Sequence, residues 1–99
     1  MDLAALHEIA DQRRSAWNAA GVRWAATDGP LTDKPAAWLA LSTLQVEGQL
    51  TVWVSGEAEM DWGTLERGGS RHYELDTRES LGACVADLEK PSAWRKGFR

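Results

Sequence analysis

The sequence predicts an α+β domain: an antiparallel sheet of about five strands, with an N-terminal and a C-terminal helix packed on one face. Three observations lead to this architecture. Apolar residues recur at spacings of three and four near both ends of the 99-residue chain, which is the period of an amphipathic helix. Between these segments apolar and polar residues alternate in short runs. The turns between the runs are short, so neighbouring strands must be antiparallel.

The first helix is predicted over residues 2–20. Its apolar side consists of Leu6, Ile9, Ala10, Trp17 and Ala20. Arg13 interrupts this stripe, and we expect its aliphatic stem to lie along the core while its guanidinium reaches water or an acid. Asp2 is the predicted N-cap and Gly21 the C′ residue that ends the helix.

Two strands are predicted next, over residues 22–26 and 36–43. The loop between them, residues 27–35, is dense in Gly, Pro, Asp and Thr, which are turn-forming residues. The second strand is apolar on both faces, which predicts a central place in the sheet. A turn over residues 44–48 is expected to follow it.

A hairpin is predicted from the strands at residues 49–55 and 57–63. Its turn lies at Ser55-Gly56, because glycine adopts positive φ without steric cost. Alternation directs one set of side chains toward the helices: Leu50, Val52, Val54, Ala58, Met60 and Trp62. The other set faces away from the helices, toward water or a partner: Thr51, Trp53, Ser55, Glu57, Glu59 and Asp61.

The last elements are a turn at residues 67–70, a strand at residues 71–75 and a helix that Asp76 caps. Glu79 is the predicted capping-box partner of Asp76. Inward side chains are expected from Tyr73, Leu75, Leu81, Val85 and Leu88. Residues 90–99 form a basic tail with no predicted element, and residues 1–99 are taken as one domain.

Composition excludes several classes of protein. The net charge of −4 argues against a nucleic-acid binder, which needs a basic surface. Cys84 is the single cysteine, so the chain has no internal disulfide and no cysteine metal cluster, as expected in a reducing compartment. The chain shows neither a signal-peptide pattern nor a membrane-length apolar run. These features predict a cytoplasmic protein without membrane contact, in which four or five of the six tryptophans are buried.

The search for catalytic chemistry finds no convincing site, cofactor or metal. Cys84 lies in the apolar stripe of the second helix and is expected to be a core residue. His7 and His72 lack metal-ligand spacing. Glu57, Glu59 and Asp61 form an acidic trio, and two such carboxyls could in principle act as a general acid and a general base. On an open sheet face, however, these carboxyls would be solvated, with little reason for a raised pKa. A small enzyme that uses this trio stays open as an alternative.

Binding is better supported, because residues 35–66 carry five acidic side chains and no Lys, Arg or His. An exposed aromatic side chain among acids is typical of an interaction hot spot for a basic protein partner. The predicted partner-binding residues are Trp53, Glu57, Glu59 and Asp61, with Thr51 and Glu47 as weaker candidates. The same charges would also serve a sheet that only needs protection from aggregation.

The segment Gly48-Gln-Leu-Thr-Val-Trp-Val-Ser-Gly-Glu57 resembles the central strand of TriTu-type bacterial immunity proteins, Gly-x-Ile/Leu-Thr-Leu/Val-Trp-x-Ser-Gly-Glu. The order of a helix with Trp17, a strand near Trp38 and a late Tyr73-Glu-Leu75 before the closing helix is also similar. Only the central ten residues are specific. The basic tail at Arg95–Arg99 has no family role that we can assign.

The resemblance implies a non-catalytic protein that binds a cognate toxin domain at the end of an Rhs-type effector of type VI secretion. Such a toxin is an ADP-ribosyltransferase that modifies elongation factor Tu, and the immunity protein blocks its NAD-dependent active site. No nucleic acid, membrane or small-molecule substrate is implied as a partner. The alternative function is a protein-interaction adaptor or chaperone of a secretion system.

Overall fold

The computed structural model describes residues 1–64 and 67–90 and has the predicted order of one helix, five strands and one helix. The elements are α1 (Ala4–Ala19), β1 (Arg23–Asp28), β2 (Ala36–Ser42), β3 (Val46–Trp53), β4 (Glu57–Thr64), β5 (Gly68–Glu74) and α2 (Arg78–Leu88). The basic tail from residue 91 onward lies outside the described residues. The α+β architecture predicted from the sequence is confirmed.

The five strands form one antiparallel sheet in chain order, β1-β2-β3-β4-β5. Strand β2 lies inside the sheet, as its apolar character predicted. Helix α1 packs on β1 and β2, and α2 packs on β3 and on α1, so both helices cover the same face. The core between helices and sheet is built largely from Leu6, Trp17, Leu39, Leu41, Leu50, Val52, Leu81 and Leu88, which are fully buried. Neither described helix has the length and apolar character needed to cross a membrane.

The end of α1 confirms the predicted role of Gly21. Gly21 has φ +74°, and its N–H donates to the carbonyl of Asn18 at 3.2 Å. The next N–H, from Val22, donates to the carbonyl of Trp17 at 2.9 Å. This pair of bonds is a Schellman motif, which satisfies carbonyls left open at the helix end. At the other end Asp2 is not the N-cap. Leu3 holds that position, and the Asp2 carboxylate instead accepts from the N–H of Ala4 at 3.0 Å.

Arg13 behaves as expected and connects the two helices. Its Nε and Nη2 donate to Glu89 Oε2 at 3.1 and 2.6 Å, just beyond the end of α2. The same oxygen accepts from the indole Nε1 of Trp17 at 2.7 Å. Trp17 is fully buried, so this bond satisfies a donor that would otherwise be buried without a partner.

Two predicted turns were too long. The chain reverses over residues 43–45, because the Thr43 hydroxyl accepts from the N–H groups of Gln45 and Val46, both at 3.2 Å. Strand β3 therefore begins at Val46 rather than at residue 49. Similarly, Gly68 and Gly69 belong to β5 and not to a turn. Gly69 pairs with Trp62. A β-carbon on Gly69 would lie only 2.8 Å from the indole ring of Trp62.

The predicted capping box of α2 was wrong by one residue. Thr77, not Asp76, is the N-cap, and its hydroxyl accepts from the N–H of Ser80 at 3.0 Å. The hydroxyl of Ser80 accepts in return from the N–H of Thr77, also at 3.0 Å. A serine hydroxyl thus takes the role that the prediction gave to the carboxylate of Glu79.

The prediction that four or five tryptophans are buried was wrong. Among the described residues only Trp17 is fully buried, while Trp24, Trp38, Trp53 and Trp62 are half-buried. Trp38 and Trp53 have no layer above them, because the helices do not cover their face of the sheet. Trp24 and Trp62 lie on the helix side, opposite Leu41 and Gly48, and Trp24 packs against the core there. Val54 also differs from expectation, because it lies in the β3–β4 turn and is 37% exposed.

Candidate partner-binding face

The face of the sheet opposite the helices, called the open face below, presents alternate residues of all five strands. The register places Thr27, Trp38, Thr51, Glu59 and His72 in one row across the sheet. The neighbouring row, nearest the β3–β4 turn, holds Ala36, Trp53, Glu57 and Glu74. Aromatic and small side chains therefore lie on β2 and β3, and carboxylates lie on β4 and β5.

The predicted orientation of the hairpin is confirmed. Val52, Ala58 and Met60 are buried beneath the helices, so alternation directs the predicted binding residues to the open face. There Thr51, Trp53, Glu57 and Glu59 are half-buried, whereas Asp61 and Glu47 are exposed. The role of these six residues in binding stays a prediction.

The open face separates the six candidates into two groups. Trp53, Thr51, Glu57 and Glu59 lie together beside the β3–β4 turn. Glu47 precedes Trp53 by six positions, which is about 20 Å along an extended strand. Glu47 and Asp61 instead line a shallow depression of about 710 Å³ at the other end, together with the turn after β2 and with Trp62. A partner centred on Trp53 would reach this second group only across a wide interface.

Lys34, from the loop between β1 and β2, occupies part of the predicted site. Its ammonium pairs with the carboxylate of Glu57 and lies 5.7 Å from the centroid of the Trp53 ring. The hydrogen bond and charge of Lys34 lower the pKa of Glu57. Lys34 stands one position before the base-free range 35–66, so the acidity of that range did not indicate a cation at the site.

His72 is the second cation-forming group beside these acids; its outward position was predicted, but its pairing with them was not. Because β5 pairs with β4, the His72 ring lies between two carboxylates of the open face. Its Nδ1 is 2.5 Å from Glu59 Oε1, and its Nε2 is 2.7 Å from Glu74 Oε1. The hydrogen bonds to Glu74 and Glu59 raise the pKa of His72 above its ordinary value. The charge of the open face consequently depends on pH.

We expect a titration of His72 by NMR to give a pKa above the ordinary value of about 6.5. A raised folded-state pKa means that the protonated ring stabilises the fold fully below that ordinary value. The stabilisation is lost as pH rises through the folded pKa. Glu74→Gln and Glu59→Gln should each move the His72 midpoint back toward its ordinary value. Glu8→Gln, which removes a carboxylate paired with Arg78 on the helix side, is the matched control. A wild-type midpoint at or below the ordinary value would contradict the geometry.

Trp38 is a candidate contact residue that the sequence argument missed. It lies on the open face opposite Thr51 of β3. Its ring packs close to Gly29, since a β-carbon on Gly29 would be 3.0 Å from the Trp38 ring. The burial of Ala37 and Leu39 on either side of it is the signal that would have shown its direction. Together with Trp53 it gives the open face two half-exposed indoles on adjacent strands, a composition typical of binding hot spots.

Neither Cys84 nor Glu57 has the pKa of a nucleophilic or general-acid catalyst. Burial raises the pKa of the Cys84 thiol to about 12, so that it is not a thiolate near neutral pH. The pKa of Glu57 is lowered, whereas a carboxyl general acid needs a raised one. Within residues 1–64 and 67–90 no three His, Cys, Asp or Glu side chains are grouped as metal ligands. The carboxylates of Glu59 and Glu74 bind opposite nitrogens of His72 and do not converge on one point. The arrangement is suited to recognition.

Residues 4–90 match the family described as Immunity protein TriTu, so the match covers α1, the five strands and α2. No curated protein and no solved structure gives a significant match to this chain.

Proposed function

The chain belongs to the TriTu family of immunity proteins, and from this premise we propose that its open face binds the toxin domain that it neutralises. An immunity protein acts through its complex with a toxin, so the relevant property is a surface able to form one. The open face offers half-exposed indoles on β2 and β3 beside carboxylates on β4 and β5. The observation that carries the proposal is the outward position of Trp53 beside Glu57 and Glu59.

We propose further that the toxin is an ADP-ribosyltransferase that modifies elongation factor Tu and is delivered by an Rhs-type effector of type VI secretion. This part rests on the family resemblance. The immunity protein would then act in the cytoplasm, where elongation factor Tu is found, and would need neither cofactor nor metal. Nucleic acid, membrane and small-molecule substrates have no part in the proposed mechanism.

The proposed mechanism is occlusion of the NAD site. A pocket that binds the pyrophosphate of NAD presents basic and hydrogen-bond donor groups, since these are the groups that pair with phosphate oxygens. The carboxylates of Glu57 and Glu59 are suited to the same donors, and Trp53 supplies apolar contact area at low entropic cost. Charge complementarity also accelerates encounter with such a pocket. NAD is excluded because the protein occupies its site, and no chemical step is required.

We expect Trp53→Ala to weaken binding to the toxin domain encoded in the neighbouring reading frame by about 30-fold or more, which corresponds to about 2 kcal/mol. The loss of a central aromatic anchor is the physical reason. Affinity is measured by calorimetry with a catalytically inactive toxin, and protection is measured by survival of cells that express the active toxin.

Trp62→Ala is the matched control, because it removes another half-buried indole, one that lies at the far end of the sheet beside Gly69. It should leave affinity within a few-fold of wild type. Equal affinities for wild type, Trp53→Ala and Trp38→Ala would show that the toxin does not bind at the open face. Capture of many partners with similar affinity, instead of one dominant toxin, would favour an adaptor or chaperone.

A further inference from the structure

Trp53 and Glu57 together have the composition of a cation-binding site, and an internal cation already occupies it. The Lys34 ammonium pairs with Oε2 of Glu57 and lies 5.7 Å from the centre of the Trp53 ring. An indole face attracts a cation through its quadrupole, and an adjacent carboxylate adds charge and a hydrogen-bond acceptor. The two attractions act on the same ammonium group in the free protein.

The hold on Lys34 is weak enough to be exchanged. The side chains of Lys34 and Glu57 are 47% and 43% exposed, and ion pairs with this exposure contribute little net stability. Leu31, in the loop that carries Lys34, is 95% exposed, so this side chain does not anchor the loop in the core. Among the described residues, backbone bonds hold the loop near its ends, from the N–H of Gly29 to Ala36 at 2.8 Å and from the N–H of Val54 to Pro35 at 3.0 Å.

We propose that the Trp53–Glu57 pair is a recognition site for a guanidinium group, which Lys34 fills in the free protein and an arginine of the toxin fills in the complex. The identity of the partner rests on the function proposed above. A guanidinium fits the pair better than an ammonium because its plane stacks on an indole while two parallel N–H groups face one carboxylate. Lys34 engages a single oxygen of Glu57.

Lys34 then acts as an internal competitor. A site that is occupied in most molecules binds an outside ligand with an affinity reduced by the fraction that is free. The competition lowers the affinity of every ligand that must displace Lys34 by the same factor, so only a partner that gains further contacts across the open face still binds tightly. Lys34 in this way makes the site selective for a partner with a large complementary surface and against isolated basic side chains.

The test uses N-acetyl-arginine amide as the probe and the indole N–H signal of Trp53 in NMR spectra as the readout. Lys34→Met removes the competing cation and keeps an apolar stem of similar length. We expect Lys34→Met to bind the probe at least five-fold more tightly than wild type. Adding Glu57→Gln to that variant should abolish the gain. Lys90→Met, which removes a cation paired with Asp87 on the helix side, is the matched control and should bind as wild type does.

Two further probes distinguish charge from shape. N-acetyl-citrulline amide has the same outline without the charge, and N-acetyl-lysine amide carries an ammonium; both should bind Lys34→Met more weakly than the arginine probe. Equal binding of the arginine probe to wild type and Lys34→Met, or equal binding of the three probes to Lys34→Met, would overturn the proposal. Amide spectra of each variant verify that it is folded. The titrations need no toxin, so a failure here leaves the proposed function to its own test with Trp53→Ala.

Discussion

Gly56→Ala is expected to destabilise the domain by about 3–5 kcal/mol, through backbone strain and a clash that act together. This loss is a large part of the total stability of a domain of this size, about 5–15 kcal/mol. We therefore expect a variant that is partly unfolded at 37 °C and that fails to protect cells. Unfolding in urea, followed by tryptophan fluorescence, measures the difference.

Two independent features of Gly56 cause this effect. It ends the β3–β4 turn with φ +94°, a backbone conformation that residues with a β-carbon rarely adopt. Its N–H donates to Trp53 at 2.9 Å, and its carbonyl accepts from the N–H of Leu75 at 2.7 Å. A β-carbon at this position would be 2.2 Å from the carbonyl oxygen of Leu75. That oxygen belongs to the backbone and cannot rotate away, so the chain itself would have to move.

Gly21→Ala is the matched control, because it separates the two causes. Gly21 also has positive φ, at +74°, but a β-carbon there meets nothing within 4 Å. This variant should lose only the conformational part, about 1 kcal/mol. Equal losses for the two variants would show that contact with Leu75 has no energetic importance. In that case the conformation of the turn alone would explain the effect of Gly56→Ala.

Gly56 also shows why the fold was predictable from the sequence. Its place between two alternating runs indicates a hairpin, and the hairpin fixes which residues of β3 and β4 face the core. Burial of Leu50, Val52 and Met60 then determines the outward direction of Trp53, because a shift by one residue would expose all of them. Local periodicity and one turn residue were enough for this part of the site.

The errors have a different physical origin. The turn at residues 43–45 and the cap of α2 depend on single hydroxyl groups, of Thr43 and of Ser80, whose bonding partners the apolar pattern does not indicate. The two cations that pair with the acids of the open face are brought there by the tertiary fold. His72 reaches Glu59 only because β5 begins at Gly68, and Lys34 reaches Glu57 because its loop folds over the end of the sheet. Counting charges along the chain could not show either contact.

Reversing three acids of the open face should have the largest functional effect. We expect Glu57→Lys, Glu59→Lys and Asp61→Lys together to abolish protection and to reduce affinity for the toxin by about 1,000-fold or more, since like charges across an interface cost several kcal/mol. The substitutions remove the attraction to basic toxin groups and add repulsion in its place. They also leave Lys34 and His72 without Glu57 and Glu59 as partners, which adds to the positive charge of the surface.

A second triple variant controls for net charge. Glu8→Lys, Asp11→Lys and Glu79→Lys change the total charge by the same amount, but on the helices at the opposite side of the molecule. Protection should survive in this control, and the association rate should fall only through long-range electrostatics, which salt screens. If both triple variants protect equally well, the open face is not the contact surface.

The neutral variant with Glu57→Gln, Glu59→Gln and Asp61→Asn distinguishes occlusion from chemistry. If the protein acts by occupying the toxin's NAD site, affinity and protection must fall together, because protection then depends only on the fraction of toxin bound. A neutral variant that keeps its affinity yet loses protection would instead show that the carboxylates take part in a reaction. The lowered pKa of Glu57 and the exposure of Asp61 favour the first result, since neither is the setting of a general acid. Measuring both quantities on the same variant therefore decides between an inhibitor and an enzyme.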